Sequence, residues 1–136
     1  MDKQSRFDSL FSFYSNGLDP LMLKAQAIAE SNLDPKAVSH CGAEGIAQFM
    51  PATFKEIMGA ADPFNPESNI QAQGVYMRQL LHRYNDNWEH SWAAYNWGPG
   101  NMDRCLKAHS GDWKAHIPDE TRNYLKRIAL IRLTLV

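Results

Sequence analysis

The 136-residue sequence lacks the features that define several large protein classes. It contains only two cysteines, which is too few for a disulfide framework. It also has no long hydrophobic run, because its most apolar stretch, 128–136, is interrupted by Arg132 and is far shorter than a membrane span. The N-terminal residues show no signal-peptide pattern. We therefore expect no disulfide scaffold, no membrane insertion and no export signal in the chain as written.

An excess of positive charge is missing as well. Lys and Arg total 14 residues and Asp and Glu total 15, so the formal net charge is -1. Nucleic acids and anionic lipid surfaces bind proteins largely through a basic excess. The charge balance therefore argues against a nucleic-acid partner and against simple adhesion to a lipid surface.

Common cofactor and catalytic motifs are also absent. There is no glycine-rich nucleotide loop, no nucleophile elbow and no zinc-protease helix motif. The acidic stretch 62–67 lacks the central glycine of an EF-hand loop. None of the histidines has metal-ligand spacing on one helical turn: His40, His82, His90, His109 and His116. We expect neither a cofactor nor a metal ion.

The composition is that of an ordinary folded domain. Hydrophobic residues make up 44% of the chain, which is typical of a globular protein and too high for disorder. A chain of this length buries roughly two-thirds of its unfolded surface without a metal or disulfide. We therefore expect a single domain over residues 1–136, with no linker and no internal repeat.

Helix start and stop signals recur along almost the whole chain. A first helical pattern over 7–15 ends at Gly17, and prolines in first turns predict further starts at Pro20, Pro51, Pro66 and Pro118. An aromatic helix from Trp88 should end at the Gly98 turn, with one or two more turns over 102–108. Apolar stripes at helical spacing predict the buried faces: Leu21, Ala25 and Ile28; Ile70, Gly74, Met77, Leu81 and Tyr84; Tyr124, Ile128, Ile131 and Leu135. Residues 36–47 predict an irregular loop or a small β-hairpin, so the fold class is mainly α.

One carboxylate stands in an unusual place. Glu30 falls in the last turn of an apolar, alanine-rich helix, where the helix dipole disfavours negative charge. Burial would raise its pKa in the same direction, as a general acid at neutral pH requires. Taken alone, a glutamate at a helix end is more often simply solvated.

Two further segments combine residues suited to ligand binding. The turn 39–51 is rich in small residues, and Gly42 and Gly45 permit a close approach of a ligand to the backbone. A second segment places Tyr95, Asn96 and Trp97 together before a glycine turn. Aromatic faces and amides bind sugars, although an aromatic core followed by a turn would look the same.

Together these segments resemble the three motifs of soluble lytic transglycosylases, in the family's order. The first motif includes Glu30-Ser31, Pro35, Ala37, Ser39, Gly42-Ala43, Gly45-Ile46, Gln48, Met50-Pro51 and Thr53. The second and third include Ala94-Tyr95-Asn96, Gly98 and Gly100, and then Ile117-Pro118, Glu120-Thr121-Arg122 and Tyr124. The resemblance covers about residues 21–130. It implies a lysozyme-like fold with two lobes around a groove, and cleavage of the β-1,4 bond between N-acetylmuramic acid and N-acetylglucosamine in peptidoglycan.

The resemblance also implies a mechanism with a single carboxylate. Glu30 protonates the leaving oxygen, the substrate's acetamido group stabilises the cation, and Glu30 then deprotonates the C6 hydroxyl to form a 1,6-anhydromuramic end. The implied substrate-binding residues are Ser39, Gln48, Met50, Tyr95, Asn96 and Tyr124. Tyr95 and Asn96 would orient the acetamido group, and Tyr124 would support the acid or the groove wall. Ser31 is expected to fix the helix end.

The resemblance further implies a partner and a place of action. The partner would be peptidoglycan glycan strands, bound by a monomer, and the reaction would take place in the periplasm or cell wall. Minimal forms of the family occur in bacteriophage lysis and entry enzymes, and a phage origin is one interpretation of this chain.

Three alternatives remain open at the level of sequence. A lysozyme-type hydrolase would use water on the same fold. A cysteine peptidase or amidase would use Cys41 or Cys105 with a histidine. A non-catalytic wall-binding or virion protein would keep the groove, although binding alone needs no proton donor at Glu30.

Overall fold

The structure is a computed structural model that describes residues 4–136. Within this range the chain forms seven α-helices and one short 3₁₀ helix. The α-helices are α1 (Asp8–Phe13), α2 (Pro20–Ser31), α3 (Pro51–Met58), α4 (Pro66–Arg83), α5 (Trp88–Trp97), α6 (Pro99–Ala108) and α7 (Asp119–Thr134), and the 3₁₀ helix is Trp113–His116. The mainly α fold class is therefore confirmed.

Local capping explains the helix starts that the sequence predicts. The Asp19 side chain accepts a hydrogen bond from the Leu21 N–H, and the Asn65 side chain accepts from Glu67 and Ser68. A proline occupies the first turn of both helices, where its missing N–H has no intrahelical partner to lose. These predicted starts are confirmed.

The link between α5 and α6 is shorter than the sequence predicts. A glycine turn is expected over 98–100, but only Gly98 separates the two helices, and α6 already begins at Pro99. Gly98 has a φ of 102°, which L side chains rarely adopt, so one residue suffices to turn the chain. The helix that follows is consequently longer than the one or two turns expected.

Residues 36–47 form an irregular loop rather than a paired hairpin. Isolated bridges join Val38 to Glu44 and Glu44 to Phe49, and the described residues contain no regular strand. Asn69 of α4 holds this loop: its Oδ1 accepts from the Ala47 N–H at 2.8 Å, and its Nδ2 donates to the carbonyls of Glu44 and Pro63. The loop therefore has a fixed shape without sheet pairing.

Helix α2 is buried along its middle turns. It contacts α7 and α1, and its buried residues are Leu23, Lys24, Ala25, Gln26 and Ala27. The predicted stripe of α2 is only partly correct, since Ala25 is buried while Leu21 and Ile28 are half-buried. The buried Lys24 ammonium pairs with Asp8 of α1 at 2.8 Å, which compensates its loss of hydration.

The buried apolar side chains form two clusters. The larger draws on α1, α2 and α4 to α7, and the smaller joins Phe49 and Ala47 to Phe54 of α3 and Ala72 of α4. The half-buried Tyr76 and Tyr95 pack against both clusters. None of the helices in the described part of the chain is sufficiently long and apolar to span a membrane.

Candidate active site

An open groove of about 460 Å³ runs between the loop 36–47, helix α5 and the start of α7. Its lining includes six of the predicted site residues, which are Glu30, Ser39, Gln48, Met50, Tyr95 and Asn96. Tyr124 is not part of this lining. It lies behind Glu30 with only 2% of its surface exposed, so a direct substrate contact by Tyr124 stays a prediction.

Glu30 is the acid that the groove presents. It lies in the last turn of α2, and burial of the carboxyl raises its pKa from the usual 4.5 to about 8. The exposed Glu120 carboxylate at the groove edge adds a smaller upward contribution to the pKa. A carboxyl with this pKa keeps its proton at neutral pH and is able to donate it.

Two groups lower the pKa of Glu30 without cancelling the effect of burial. The Tyr124 hydroxyl hydrogen-bonds the carboxyl and is the larger of the two, and the Arg127 guanidinium contributes charge. Arg127 also donates to the Ala29 carbonyl at 2.8 Å, one residue before the acid. The acid is therefore supported by α7 from behind while its other side opens to the groove.

A pair of buried amides continues this support into the core. Gln26 Nε2 donates to the Tyr124 hydroxyl at 3.0 Å, and Gln73 Nε2 donates to Gln26 Oε1 at 3.1 Å and to the Leu23 carbonyl at 2.9 Å. Within residues 4–136 no donor reaches Gln73 Oε1, and an unpaired buried acceptor costs about 1–3 kcal/mol. Sequence reasoning missed both glutamines, although a polar residue at a buried helix position was a usable signal.

The aromatic wall of the groove is tied to the loop. The Tyr95 hydroxyl donates to the Ala47 carbonyl at 2.7 Å, and its ring packs against Phe49 and Tyr76. Burial raises the pKa of Tyr95 well above its usual value, so this phenol stays neutral. Its proton is committed to the loop carbonyl, which holds the wall at a fixed distance from the turn 39–51.

Asn96 presents one defined end of its amide to the groove. Its Oδ1 accepts a 2.8 Å hydrogen bond from the Thr121 hydroxyl at the start of α7. Because the oxygen is engaged, the amide nitrogen is the atom that faces a ligand. The site therefore offers a hydrogen-bond donor at this position, which suits a carbonyl or hydroxyl oxygen of a substrate.

The predicted polar residues of the loop first stabilise the loop itself. Ser39 Oγ accepts from the Ala43 N–H at 3.0 Å, and Gln48 Nε2 donates to the carbonyls of Ala37 and Gly45. Any bond from Gln48 to a ligand therefore falls to its Oε1. Ser31 Oγ donates to the Ile46 carbonyl at 2.6 Å, which fastens the end of α2 to the loop as expected.

Neither cysteine has the surroundings of a nucleophile. Both are free; Cys41 is exposed in the groove lining beside His40, and Cys105 is buried in α6. Burial raises the pKa of the Cys105 thiol, which disfavours the reactive thiolate. Cys41 lies in a turn rather than at a helix N-terminus. The cysteine-hydrolase alternative thus finds no support in the described residues.

One potential metal-binding cluster was not found by the search for histidines spaced on one helical turn. His109, Asp112 and His116 place ligand atoms within 4.8 Å of one another, because a turn and the 3₁₀ helix bring the two histidines together. Their rings stack in parallel, with centroids 3.5 Å apart and an interplanar angle of 9°. Imidazole lone pairs lie in the ring plane, so those of parallel rings do not converge on one ion. We assign no metal site to this cluster.

Known proteins share this fold and this sequence pattern. A family model described as the transglycosylase SLT domain matches residues 12–117, so Tyr124 lies beyond the matched segment. The soluble lytic murein transglycosylase of Salmonella typhimurium is 32% identical over 139 residues, covering 90% of this chain and 22% of the relative. The chain belongs to the transglycosylase SLT domain family.

Two solved structures superpose closely on the chain. The 70-kDa soluble lytic transglycosylase of Escherichia coli has a TM-score of 0.85 and 30% identity, covering 94% of this chain and 24% of that one. An inactive glutamate-to-glutamine mutant of the Pseudomonas aeruginosa lytic transglycosylase Slt has a TM-score of 0.83 and 26% identity, covering 94% and 23%. These likenesses confirm the lysozyme-like fold, and the chain spans about a quarter of the length of each structure.

Proposed function

We propose that this chain cleaves peptidoglycan glycan strands as a lytic transglycosylase. The observation that carries the proposal is a groove-facing acid, Glu30, that burial keeps protonated at neutral pH. A protonated carboxyl in an open groove suits protonation of a glycosidic oxygen. The reported inactivity of the glutamate-to-glutamine mutant of the Pseudomonas relative agrees with dependence on one glutamate.

The proposed reaction uses the substrate's own groups as nucleophiles. Glu30 gives its proton to the oxygen between the two sugars, and the acetamido oxygen of the muramic residue bonds to C1 as that C–O bond breaks. The Glu30 carboxylate then takes the proton of the C6 hydroxyl. The hydroxyl oxygen closes on C1 and releases the acetamido group, so a 1,6-anhydro ring forms, no water is consumed and Glu30 is protonated again.

Two arguments support attack by the C6 hydroxyl over attack by water. The Asn96 amide nitrogen faces the groove and is suited to hold the acetamido or hydroxyl oxygen in place. A well-placed intramolecular nucleophile has an effective molarity of about 10⁵ M or more, far above that of bulk water. Positioning of the muramic ring therefore determines whether the C6 hydroxyl or water attacks C1.

One observation favours the hydrolase as a second candidate. Glu120 is a second carboxylate in the groove lining, and its charge contributes to the raised pKa of Glu30. Hydrolases commonly pair an acid with a carboxylate that activates water. The sequence resemblance includes Glu120 in its third motif but implies no catalytic role for it.

Digestion of purified cell walls in oxygen-18 water separates the two candidates. We expect released muropeptides to end in 1,6-anhydromuramic acid, one water lighter than reducing-end products and free of the label. Oxygen-18 at the new muramic C1 as the main outcome would reject the transglycosylase and establish the hydrolase. In that case Glu120→Gln should abolish the labelled product.

Matched glutamate variants test the catalytic acid. We expect Glu30→Gln to lose wall lysis while it keeps its fold, because glutamine cannot donate an acidic proton. Glu44 makes backbone contacts within the loop and is not part of the groove lining, so Glu44→Gln should retain lysis. Near-normal lysis by Glu30→Gln, or a loss of about a hundredfold in Glu44→Gln, would contradict this assignment.

The remaining proposals concern the setting of the reaction. We propose that the chain acts as a monomeric single domain over residues 1–136 on peptidoglycan strands at the cell wall. A bacteriophage origin stays a prediction.

A further inference from the structure

Three buried side chains form a row that ends at the acid. Gln73 of α4 donates to Gln26 of α2, Gln26 donates to the Tyr124 hydroxyl of α7, and the Tyr124 hydroxyl in turn acts on the Glu30 carboxyl, whose pKa it lowers. Gln26 and Gln73 are each 0% exposed and Tyr124 is 2% exposed. The row therefore joins three helices through hydrogen bonds that water does not replace.

The orientation of each amide in the row is determined by its surroundings. Gln73 Nε2 uses its two protons on the Leu23 carbonyl and on Gln26 Oε1. Turning this amide over would place Gln73 Oε1 against those same two acceptors. Gln26 must in turn present its oxygen to Gln73 and its nitrogen to Tyr124. The donors along the row therefore all point towards Glu30.

The direction of these donors determines where the proton of the Tyr124 hydroxyl points. A phenol O–H prefers the plane of the ring, where it has two alternative directions. The Gln26 N–H occupies one of them, so the hydroxyl proton takes the other. The lowering of the Glu30 pKa by this hydroxyl agrees with donation of that proton to the carboxyl. The Glu30 oxygen that faces Tyr124 thus acts as an acceptor in every protonation state of the acid.

We propose that Gln26 and Gln73 are positioning residues that force the Glu30 proton onto the carboxyl oxygen not bonded to Tyr124. Glu30 lines the groove, and in this proposal the second oxygen is the one that meets the substrate. This inference rests on the proposed function, since it assigns the row to the delivery of the proton to the glycosidic oxygen.

Removing the row should reverse the hydrogen bond at the acid. In Gln26→Met the Tyr124 oxygen loses its donor, so its hydroxyl is able to turn and accept the proton of Glu30 instead. The protonated acid is then stabilised, but its proton points into the core rather than into the groove. We therefore expect a higher pKa of Glu30 together with a slower proton transfer.

Carbon-13 NMR of protein labelled at the glutamate carboxyl carbon reads this pKa directly. The Glu30 signal is assigned by its loss in Glu30→Gln. We expect the pKa to rise by about one unit in Gln26→Met, and by at least as much in Tyr124→Phe. In the double variant Gln26→Met/Tyr124→Phe it should not rise beyond the value of Tyr124→Phe, because Gln26 acts through the hydroxyl. An unchanged pKa in Gln26→Met, or an equal rise with and without the Tyr124 hydroxyl, would overturn the proposal.

Steady-state kinetics provides a second measurement. Gln26→Met should lower kcat by about tenfold with little change in KM, and the alkaline limb of its kcat profile should move to higher pH. Met77→Leu, in the same buried region of α4, is the matched control and should move neither the limb nor the pKa. A lower maximal kcat with an unchanged alkaline limb of the kcat–pH profile would show that Gln26 has only a structural role.

Two provisions keep the test decisive. If Gln26→Met does not fold, Gln73→Met replaces it, and a smaller rise in the same direction is expected because Gln26 is then free to turn over. The NMR titration needs no substrate, so it reads the row even if the chain fails to cleave peptidoglycan. Conversely, the product analysis in oxygen-18 water tests the reaction whatever the titration shows.

Discussion

The Thr121 hydroxyl donates a 2.8 Å hydrogen bond to Asn96 Oδ1, so the first turn of α7 holds the Asn96 side chain in the groove lining. The two residues are 25 positions apart in the chain. Thr121 is 2% exposed, which keeps water from substituting for its hydroxyl. An amide of the groove lining is thus held by a residue that does not line the groove itself.

We expect Thr121→Val to weaken substrate binding without unfolding the protein. Valine keeps the shape of threonine, but the Asn96 amide loses the hydrogen bond that holds it in place. The loss of one such hydrogen bond should raise KM about fivefold to tenfold. Thr121→Ser keeps the hydroxyl and should restore binding. Equal binding by the valine and serine variants would contradict this role of Thr121.

The raised pKa of Glu30 makes the stability of the protein dependent on pH. Unfolded Glu30 loses its proton near pH 4.5, while the folded protein keeps it until about pH 8. Within this window the folded state binds more protons, so this group lowers the free energy of unfolding as pH rises, by at most about 1.4 kcal/mol per unit. Below the window its contribution is fully present, and above it the loss is complete.

Glu30→Gln removes this dependence. Its stability relative to the unchanged protein should grow from about pH 4.5 to about pH 8 and then level off. Urea unfolding at about pH 4, about pH 6 and about pH 9 measures the difference. A difference that stays constant across these conditions would show that burial does not hold the acid in its protonated form.

The two cysteines should differ sharply in reactivity. Cys41 is exposed in the groove lining and Cys105 is buried with a raised thiol pKa, so a maleimide should label only Cys41 in the folded protein. A bulky label at this position should block lysis by filling the groove. Cys41→Ser should be active and insensitive to the reagent. Full lysis by the labelled protein would show that the substrate does not pass the part of the groove that Cys41 lines.

Gly74 should tolerate no side chain. A Cβ atom there would lie 2.1 Å from the Tyr14 carbonyl oxygen, which is backbone and cannot rotate away. Gly74→Ala should therefore push α1 from α4 and lower the free energy of unfolding by about 3 kcal/mol. At Gly111 a Cβ would meet nothing within 4 Å, so Gly111→Ala is the matched control and should change stability by less than about 1 kcal/mol. Equal stability of the two variants would refute the close approach.

Helix starts, and the place of Glu30 in the last turn of a helix, were predictable because their signals are local. Asn65 and Pro66 define a helix start within two residues, and the predicted stripe of α4 is buried throughout. Gly98 shows the limit of such signals. The sequence correctly predicts a turn at Gly98, but it does not reveal that a single residue is enough to make that turn.

The supporting residues of the site were not predictable from local patterns. Gln26 meets Tyr124 across 98 positions and Gln73 across 47, and Asn69 holds the loop across 22. A polar residue on a buried helix face signals that a partner exists, but not which one. The identity of the partner follows only from the packing of α2, α4 and α7.

Arg127 and Glu120 act on Glu30 with opposite charges from the exposed surface of α7. Dissolved salt weakens both influences together, since each operates through solvent over several ångströms. Their changes act in opposite directions, and the larger effect of burial is one that ions do not screen. The acid should consequently keep nearly the same protonation in dilute and in concentrated salt, while either charge, replaced singly, would make the optimum pH depend on ionic strength.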